Sequence, residues 1–235
     1  RDIASGPFLT DAREASPDVA RNSQSPAMIC ASIPSRPGQN RPAMPAAAIK
    51  SLRFCAIDFE SAGAARGRTD VPVQIGLAHW SPADGFGETF VSFLASDQPI
   101  TWSARKVHGI TTDDLTEAPT LLSLWPVLSS HLGGTVLVAH GHGTEKRFLR
   151  NFPAHPFGPW VDTLTLARMA WPDLKDHSLG ALCDRLGLSG AVAESCPDRQ
   201  WHDALFDAVA SLHLLAHLVE ALALSDHPLA HLRPG

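Results

Sequence analysis

The chain reads as an α/β domain on a mixed sheet, and three observations predict it. Three strand-like segments follow one another at 52–58, 71–80 and 88–94 with only loops or turns between them. Strands so connected pair as an antiparallel meander. From residue 119 onward, helical and strand-like segments alternate, the pattern of helices packed against a sheet. The stretch 135–139, Thr-Val-Leu-Val-Ala, is β-branched and almost wholly apolar, as suits a strand buried on both faces.

Each element has its own signal. The run 52–58 ends in Asp58, and a loop holding Gly63, Arg66, Gly67 and Arg68 leads to the run 71–80. Pro82, Asp84 and Gly85 turn the chain, and 88–94 then alternates polar and apolar residues, as a half-exposed strand does. Leu122, Trp125, Leu128 and Leu132 recur at helical spacing, so a helix is expected over 119–132, stopped by Gly133 and Gly134. A short helix is expected over 144–151, a brief strand over 160–162, and a helix over 163–170 that Pro172 stops. Ser178 suits the N-cap of a helix over 178–186, with Gly187 beyond its end. The last and longest helix is expected over 203–224, capped by Asp203, with a stripe through Leu205, Val209, Leu212, Leu215 or Ala216, and Val219.

Composition bounds what surrounds this unit. Residues 1–50 hold seven prolines and six serines with no sustained period, and are expected to be a disordered extension. They lack the apolar core of a secretory signal, and Asp2, Asp11, Glu14 and Asp18 argue against a transit peptide. Met44 opens the stretch leading into the first strand, and the functional protein is expected to begin near it. One domain is expected over 51–224, with a short tail over 225–235. No apolar run approaches the roughly 20 residues of a membrane span. Net charge is −5, which excludes a whole-chain basic field, so any polyanion site must be local. The cysteines, Cys30, Cys55, Cys183 and Cys196, show neither pairing nor zinc spacing. A reducing, cytoplasmic setting is expected.

The chemistry starts at Asp58 and Glu60. Two residues apart on a strand, they face the same way, and clustered carboxylates call for a hard divalent cation. A solvated strand end is the bland alternative. Glu145 stands in the first turn of the helix expected after the strand 135–139, where α/β sheets gather ligands; alternatively it only complements the helix dipole. His202 and Asp207 differ by about 140° on a helix and so do not share a face. They converge if His202 precedes the helix and Asp203 caps it. Together these residues give three or four carboxylates and one histidine, an inventory suited to two cations about 3.5–4 Å apart and a neutral-pH base.

At this point the residues reach a known pattern. The chain resembles the DEDDh 3′–5′ exonucleases of the DnaQ-like, ribonuclease-H-like superfamily. The first motif resembles Asp58-Phe-Glu60-Ser-Ala-Gly63, and the second-strand signature Val73-Gln-Ile-Gly76. Val107-His-Gly-Ile-Thr111 with Ala118-Pro119 also fits, as do Val161-Asp-Thr-Leu-Thr-Leu-Ala-Arg168 and Ser178-Leu-Gly-Ala-Leu182 with Leu186-Gly-Leu188. The second motif is similar to His140-Gly-His-Gly-Thr-Glu145 followed by Phe148-Leu149, and the third to His202-Asp-Ala-Leu-Phe-Asp207. The resemblance covers about residues 50–220 in the correct order.

The resemblance implies a ribonuclease-H-like mixed five-stranded sheet, its first three strands antiparallel, flanked by helices. It implies that Asp58, Glu60, Glu145 and Asp207 hold two Mg²⁺ or Mn²⁺ ions and that His202 is the base. It implies release of nucleoside 5′-monophosphates from single-stranded DNA or RNA 3′ ends, and leaves a homodimer open. Phe59, Arg66, Arg68, His140 and Lys146 are the candidate substrate contacts. With only a short tail expected after the last helix, a free-standing nuclease is expected rather than a proofreading subunit. The departure is Glu145, which stands where the family has aspartate and reaches one methylene further. Gly141 and Gly143 offer backbone slack for it. The rival reading is a degenerate domain that binds nucleic acid or a protein without cutting.

Overall fold

A computed structural model of the protein describes residues 47–65, 67–150, 152 and 157–233. Most of 1–50, the expected extension, and Arg66 lie outside these residues. Five strands, β1 (Phe54–Ser61), β2 (Pro72–Ser81), β3 (Gly85–Phe93), β4 (Val136–Ala139) and β5 (Trp160–Asp162), form one sheet in the order β3-β2-β1-β4-β5. β1, β2 and β3 pair antiparallel, whereas β4 pairs parallel with β1 and β5 with β4. The mixed sheet expected from the meander is thus the sheet observed.

Helices cover both faces. α2 (Trp125–Leu132) and α3 (Gly143–Leu149) pack Leu128, Leu132, Phe148 and Leu149 against Cys55, Ile57, Ile75, Leu77 and Leu137. On the other face lie α4 (Thr163–Ala170), α5 (Leu179–Leu186), α6 (Ser189–Ser195) and α7 (Ala204–Ala221). α7 is long and apolar enough to cross a membrane by length and composition alone, yet 72% of it is buried inside this fold, where it is the central core helix against β1 and β2. Asp203 caps it as expected, accepting from the Leu205 and Phe206 amides.

Three differences from the sequence reading have physical causes. The helix expected over 119–132 is a 3-10 turn, Leu122–Leu124, followed by α2. Pro126 explains the break, because proline is tolerated in a helix's first turn and not in its interior. Two helices were not foreseen: α1 (Trp102–His108), which buries no residue, and α6, which buries only Val192. Without an apolar stripe there is no period to read.

The folded unit also reaches beyond 51–224. Ile49 is fully buried beside Leu229 and Leu232. Ala48 bridges Pro228, the Ile49 amide donates to the His227 carbonyl at 2.9 Å, and the Lys50 amide donates to Ser225 at 2.8 Å. The expected tail is therefore docked, with a 3-10 turn over Leu229–Leu232.

Candidate active site

Strand parity decides where the acids point. On β1, Phe54 and Ala56 join the core under α7, while Cys55, Ile57 and Phe59 join the core under α2 and α3. Asp58 and Glu60 therefore continue the α7 face. Their cross-strand partners on β2 are Gly76 and Gln74, which share that face. A Cβ on Gly76 would overlap the backbone of Ala204 and Leu205, so α7 begins in direct contact with β2, and only glycine fits there.

Gln74 locks this contact. Its buried amide donates from Nε2 to Asp203 Oδ2 at 3.0 Å and accepts the Ala204 N–H on Oε1 at 3.0 Å. Arg199 pairs with Asp203 Oδ2 at 2.5 Å, while Oδ1 caps the helix. With the start of α7 fixed, His202 lies just before it at φ 67°, a left-handed conformation that a non-glycine residue keeps only when its surroundings hold it. Asp207 lies one turn inside. Ligand atoms of Glu60, His202 and Asp207 fall within 4.8 Å of one another, the one such group of three among the described residues.

The electrostatics identify what this group lacks. Burial, then the charges of Asp207, Glu145, Glu60 and Asp203, push Asp58 well above the usual carboxylate range. Glu60 is pushed up to about 8 by burial, then by Asp207 and Asp203. Burial raises Asp207 to about 7 against a backbone hydrogen bond from His202, with Asp203 adding to the rise. Glu145 also rises to about 7, by burial, against its own backbone N–H, with Asp162 raising it and Arg147 lowering it. The charges acting on Asp58 and Glu60 are all negative. Two buried oxygens, Glu145 Oε2 and Asp207 Oδ1, have no hydrogen-bond partner. Each such group costs about 1–3 kcal/mol, more when charged. Carboxylate oxygens converging without a neutralising partner fit a hard divalent cation.

The other predicted residues divide. Glu145 sits on α3, 5% exposed, and its charge reaches Asp58. The Phe59 side chain, expected as a substrate contact, turns away from the acids: its odd parity carries it into the opposite core, edge-on to Phe148 at 5.3 Å. His140 is not free to bind substrate, since its ring nitrogens meet Thr163 Oγ1 at 3.0 Å and the His177 carbonyl at 2.8 Å. Lys146 is engaged beside Glu145, donating to His142 Nε2 at 2.8 Å with its ammonium 5.4 Å from the Trp160 ring. Arg68 is exposed on the loop after β1. Asp162 caps α4 and also accepts the Gly141 N–H at 2.9 Å. His108 is a brace: the Ile110 amide donates to Nδ1 at 3.0 Å, so Nε2–H donates to the Ser61 carbonyl at 3.1 Å. It also lines an open pocket with Pro197, Arg199, Gln200 and His202.

The sequence model of the RNase_T family, described as exonuclease, matches residues 55–215. The chain belongs to this exonuclease family. A third motif carrying His202 places it among the DEDDh, DnaQ-like exonucleases. It is 30% identical over 183 residues to a DNA polymerase III subunit epsilon-like protein of Rhodobacter capsulatus, covering 74% of this chain and 25% of that protein. The chain spans only about a tenth of the PolC-type DNA polymerases III that it also matches. Its fold is similar to that of Exonuclease X in complex with 5′ overhanging duplex DNA, with a TM-score of 0.62, 24% identity and coverage of 76% of this chain and 98% of that one. It is likewise similar to the nuclease domain of 3′hExo bound to rAMP, with a TM-score of 0.61, 16% identity and coverage of 77% and 98%.

Within this exonuclease domain, Gln74, Gly76 and Arg199 were given no role in the sequence reading, and Asp203 was expected only as a cap. The second-strand signature contains the first two, and their alternation with Asp58 and Glu60 across the strand pair is the signal that finds them.

Proposed function

We propose that this chain is a metal-dependent 3′–5′ exonuclease that releases nucleoside 5′-monophosphates from single-stranded DNA or RNA 3′ ends. The observation that carries this reading is the convergence of Glu60, His202 and Asp207 within 4.8 Å, with the charges of Glu60, Asp207 and Glu145 all acting on Asp58. Asp58, Glu60, Glu145 and Asp207 would hold two Mg²⁺ or Mn²⁺ ions. When bound, such ions stabilise the attacking and leaving oxygens of the phosphodiester. His202, exposed at the rim, takes the proton of the attacking water. Gln74 and Asp203 keep the residue carrying that base in place. Arg68, on the loop after β1, is a candidate phosphate contact. Three free, buried thiols, Cys55, Cys183 and Cys196, support a reducing, cytoplasmic setting.

The test uses the full chain with 5′-labelled single-stranded DNA and RNA, in Mg²⁺, in Mn²⁺ and in EDTA. A ladder of shortened, still-labelled strands is expected with one of the ions, lost in EDTA and in His202→Ala. No shortening of either substrate with either ion overturns the reading. One observation favours the rival binding module: Glu145 is not in the tight group with Glu60, His202 and Asp207. Strand binding without metal-dependent shortening would establish that rival instead.

A further inference from the structure

We propose that α1 is a docking platform for single-stranded nucleic acid, with Trp102 stacking on a base and Lys106 and Arg105 meeting phosphates. The strand direction rests on the exonuclease reading; the platform itself does not.

Exposure is the first observation. Trp102 is 77% exposed, and no residue of α1 is buried. An indole left this open is a large apolar plane, and within α1 the Lys106 ammonium lies over it. Charge is the second. The helix reads Trp-Ser-Ala-Arg-Lys-Val-His, without an acid, in a chain of net charge −5. The Lys106 ammonium lies 5.4 Å from the centre of the Trp102 ring, so plane and cation share one surface. Arg105 lies close enough to Asp114 to help lower its carboxyl, after that group's hydrogen bonds to Thr111. Lys106 makes no ion pair among the described residues. Aromatic planes beside cations are what strands without sequence preference are gripped by.

Placement is the third observation. α1 is tied at both ends to the exit of β1, immediately after Glu60. The Thr101 amide donates to the Ala62 carbonyl at 2.8 Å, and His108 Nε2–H donates to the Ser61 carbonyl. Gly63 lies so close to Thr101 and Ala104 that a Cβ there would strike the Thr101 hydroxyl. His108, the last residue of α1, lines the pocket that His202 also lines. The platform is therefore fixed next to the acids while Trp102 stays exposed to solvent. A segment anchored this tightly yet burying nothing positions a surface rather than supporting the core.

The test separates the platform from catalysis. Binding of a short fluorescein-labelled oligothymidylate to the His202→Ala protein is read by fluorescence anisotropy, and the same measurement is made with Trp102→Ala, Trp102→Phe and Lys106→Glu added. Trp102→Ala should weaken binding about tenfold, the scale of one stacked base, and Trp102→Phe should restore most of it. Lys106→Glu should weaken binding and make it less sensitive to salt. In the otherwise unaltered enzyme, the loss from Trp102→Ala should appear in KM rather than in kcat, which a folding defect would not produce. Equal affinity for the Trp102→Ala protein overturns the platform and points to a protein partner on this face. If the unaltered chain shortens no strand while binding still depends on Trp102, the exonuclease reading fails and the platform stands.

Discussion

Asp207, half-buried, and Glu145, buried, are both acids in the first turns of helices, and the protein holds those two helices differently. α7 has 18 residues, a side-chain cap from Asp203, a buried amide bracing its first turn and a glycine contact with β2. α3 has seven residues and no side-chain cap, and it follows Gly141 at φ 87°. Its entry is held by the Gly141 amide on Asp162, by His140 on Thr163 and the His177 carbonyl, and by Lys146 on His142. One wall of the cleft thus starts from a side-chain-capped helix packed on β2, and the other from a short, uncapped helix entered through glycines. A methylene added at Asp207 would have to be absorbed by a locked helix, whereas at Glu145 a glycine-built entry can yield.

The largest expected effects test the capped wall. Asp207→Ala should remove measurable exonuclease activity, and His202→Ala should lower kcat by about 10²–10⁴-fold. Both are read from single-turnover shortening of a labelled strand, and retained activity in Asp207→Ala would show that α7 carries no ligand. On the uncapped wall, Glu145→Ala should also abolish activity, but Glu145→Asp should keep some activity or exceed the unaltered enzyme. If the aspartate variant is as inactive as the alanine one, α3 is not free to move.

A smaller effect is expected from the brace. Gln74→Leu should lower activity or metal affinity by about 10–100-fold, as losses of supporting contacts around metal ligands do. It leaves the Ala204 N–H without its partner, at about 1–3 kcal/mol, while Asp203 Oδ2 keeps Arg199. Gln74→Glu keeps the acceptor for Ala204 but sets a carboxylate against Asp203, so it should not rescue. Unchanged kcat and metal affinity in Gln74→Leu would sink the idea that this brace sets the geometry of the site.

The smallest effect is on stability. Raised carboxylates keep protons in the folded state that the unfolded chain releases, so stability falls as pH rises. For Glu60, Glu145 and Asp207 the fall runs from the ordinary carboxylate range, near 4, up to their folded values of about 7 to 8. In EDTA the melting temperature should drop across this window, and Asp207→Asn should flatten the drop. Mn²⁺ should raise the melting temperature more at pH 8 than at pH 5, at about 2–4 °C per kcal/mol for a domain of this size. An ion effect independent of pH would mean that these acids do not take up the metal.

The two walls also differ in how legible they were. β1, β2, β4 and α7 announce themselves because long apolar periods are needed to build the core, and the third motif lies at the start of the most buried helix. The acids on β1 were legible for the same reason, through strand parity. That parity also excludes Phe59, the neighbour between them, which faces α3 instead. Gln74 was visible as a letter in a signature but not as a brace, since its partner Asp203 lies 129 residues away and only packing joins them. His140 shows the reverse problem. Its position beside Glu145 suggested substrate, but two hydrogen bonds to Thr163 and the 177 carbonyl make it part of the frame. α1 was invisible because a helix that buries nothing leaves no hydrophobic period.

The bridge between Ala48 and Pro228 has a consequence outside the cleft. The two ends of the described residues therefore lie side by side. Flanking sequence can be joined at both ends without spanning the sheet, and the geometry suits insertion of the whole unit into a loop of a larger protein.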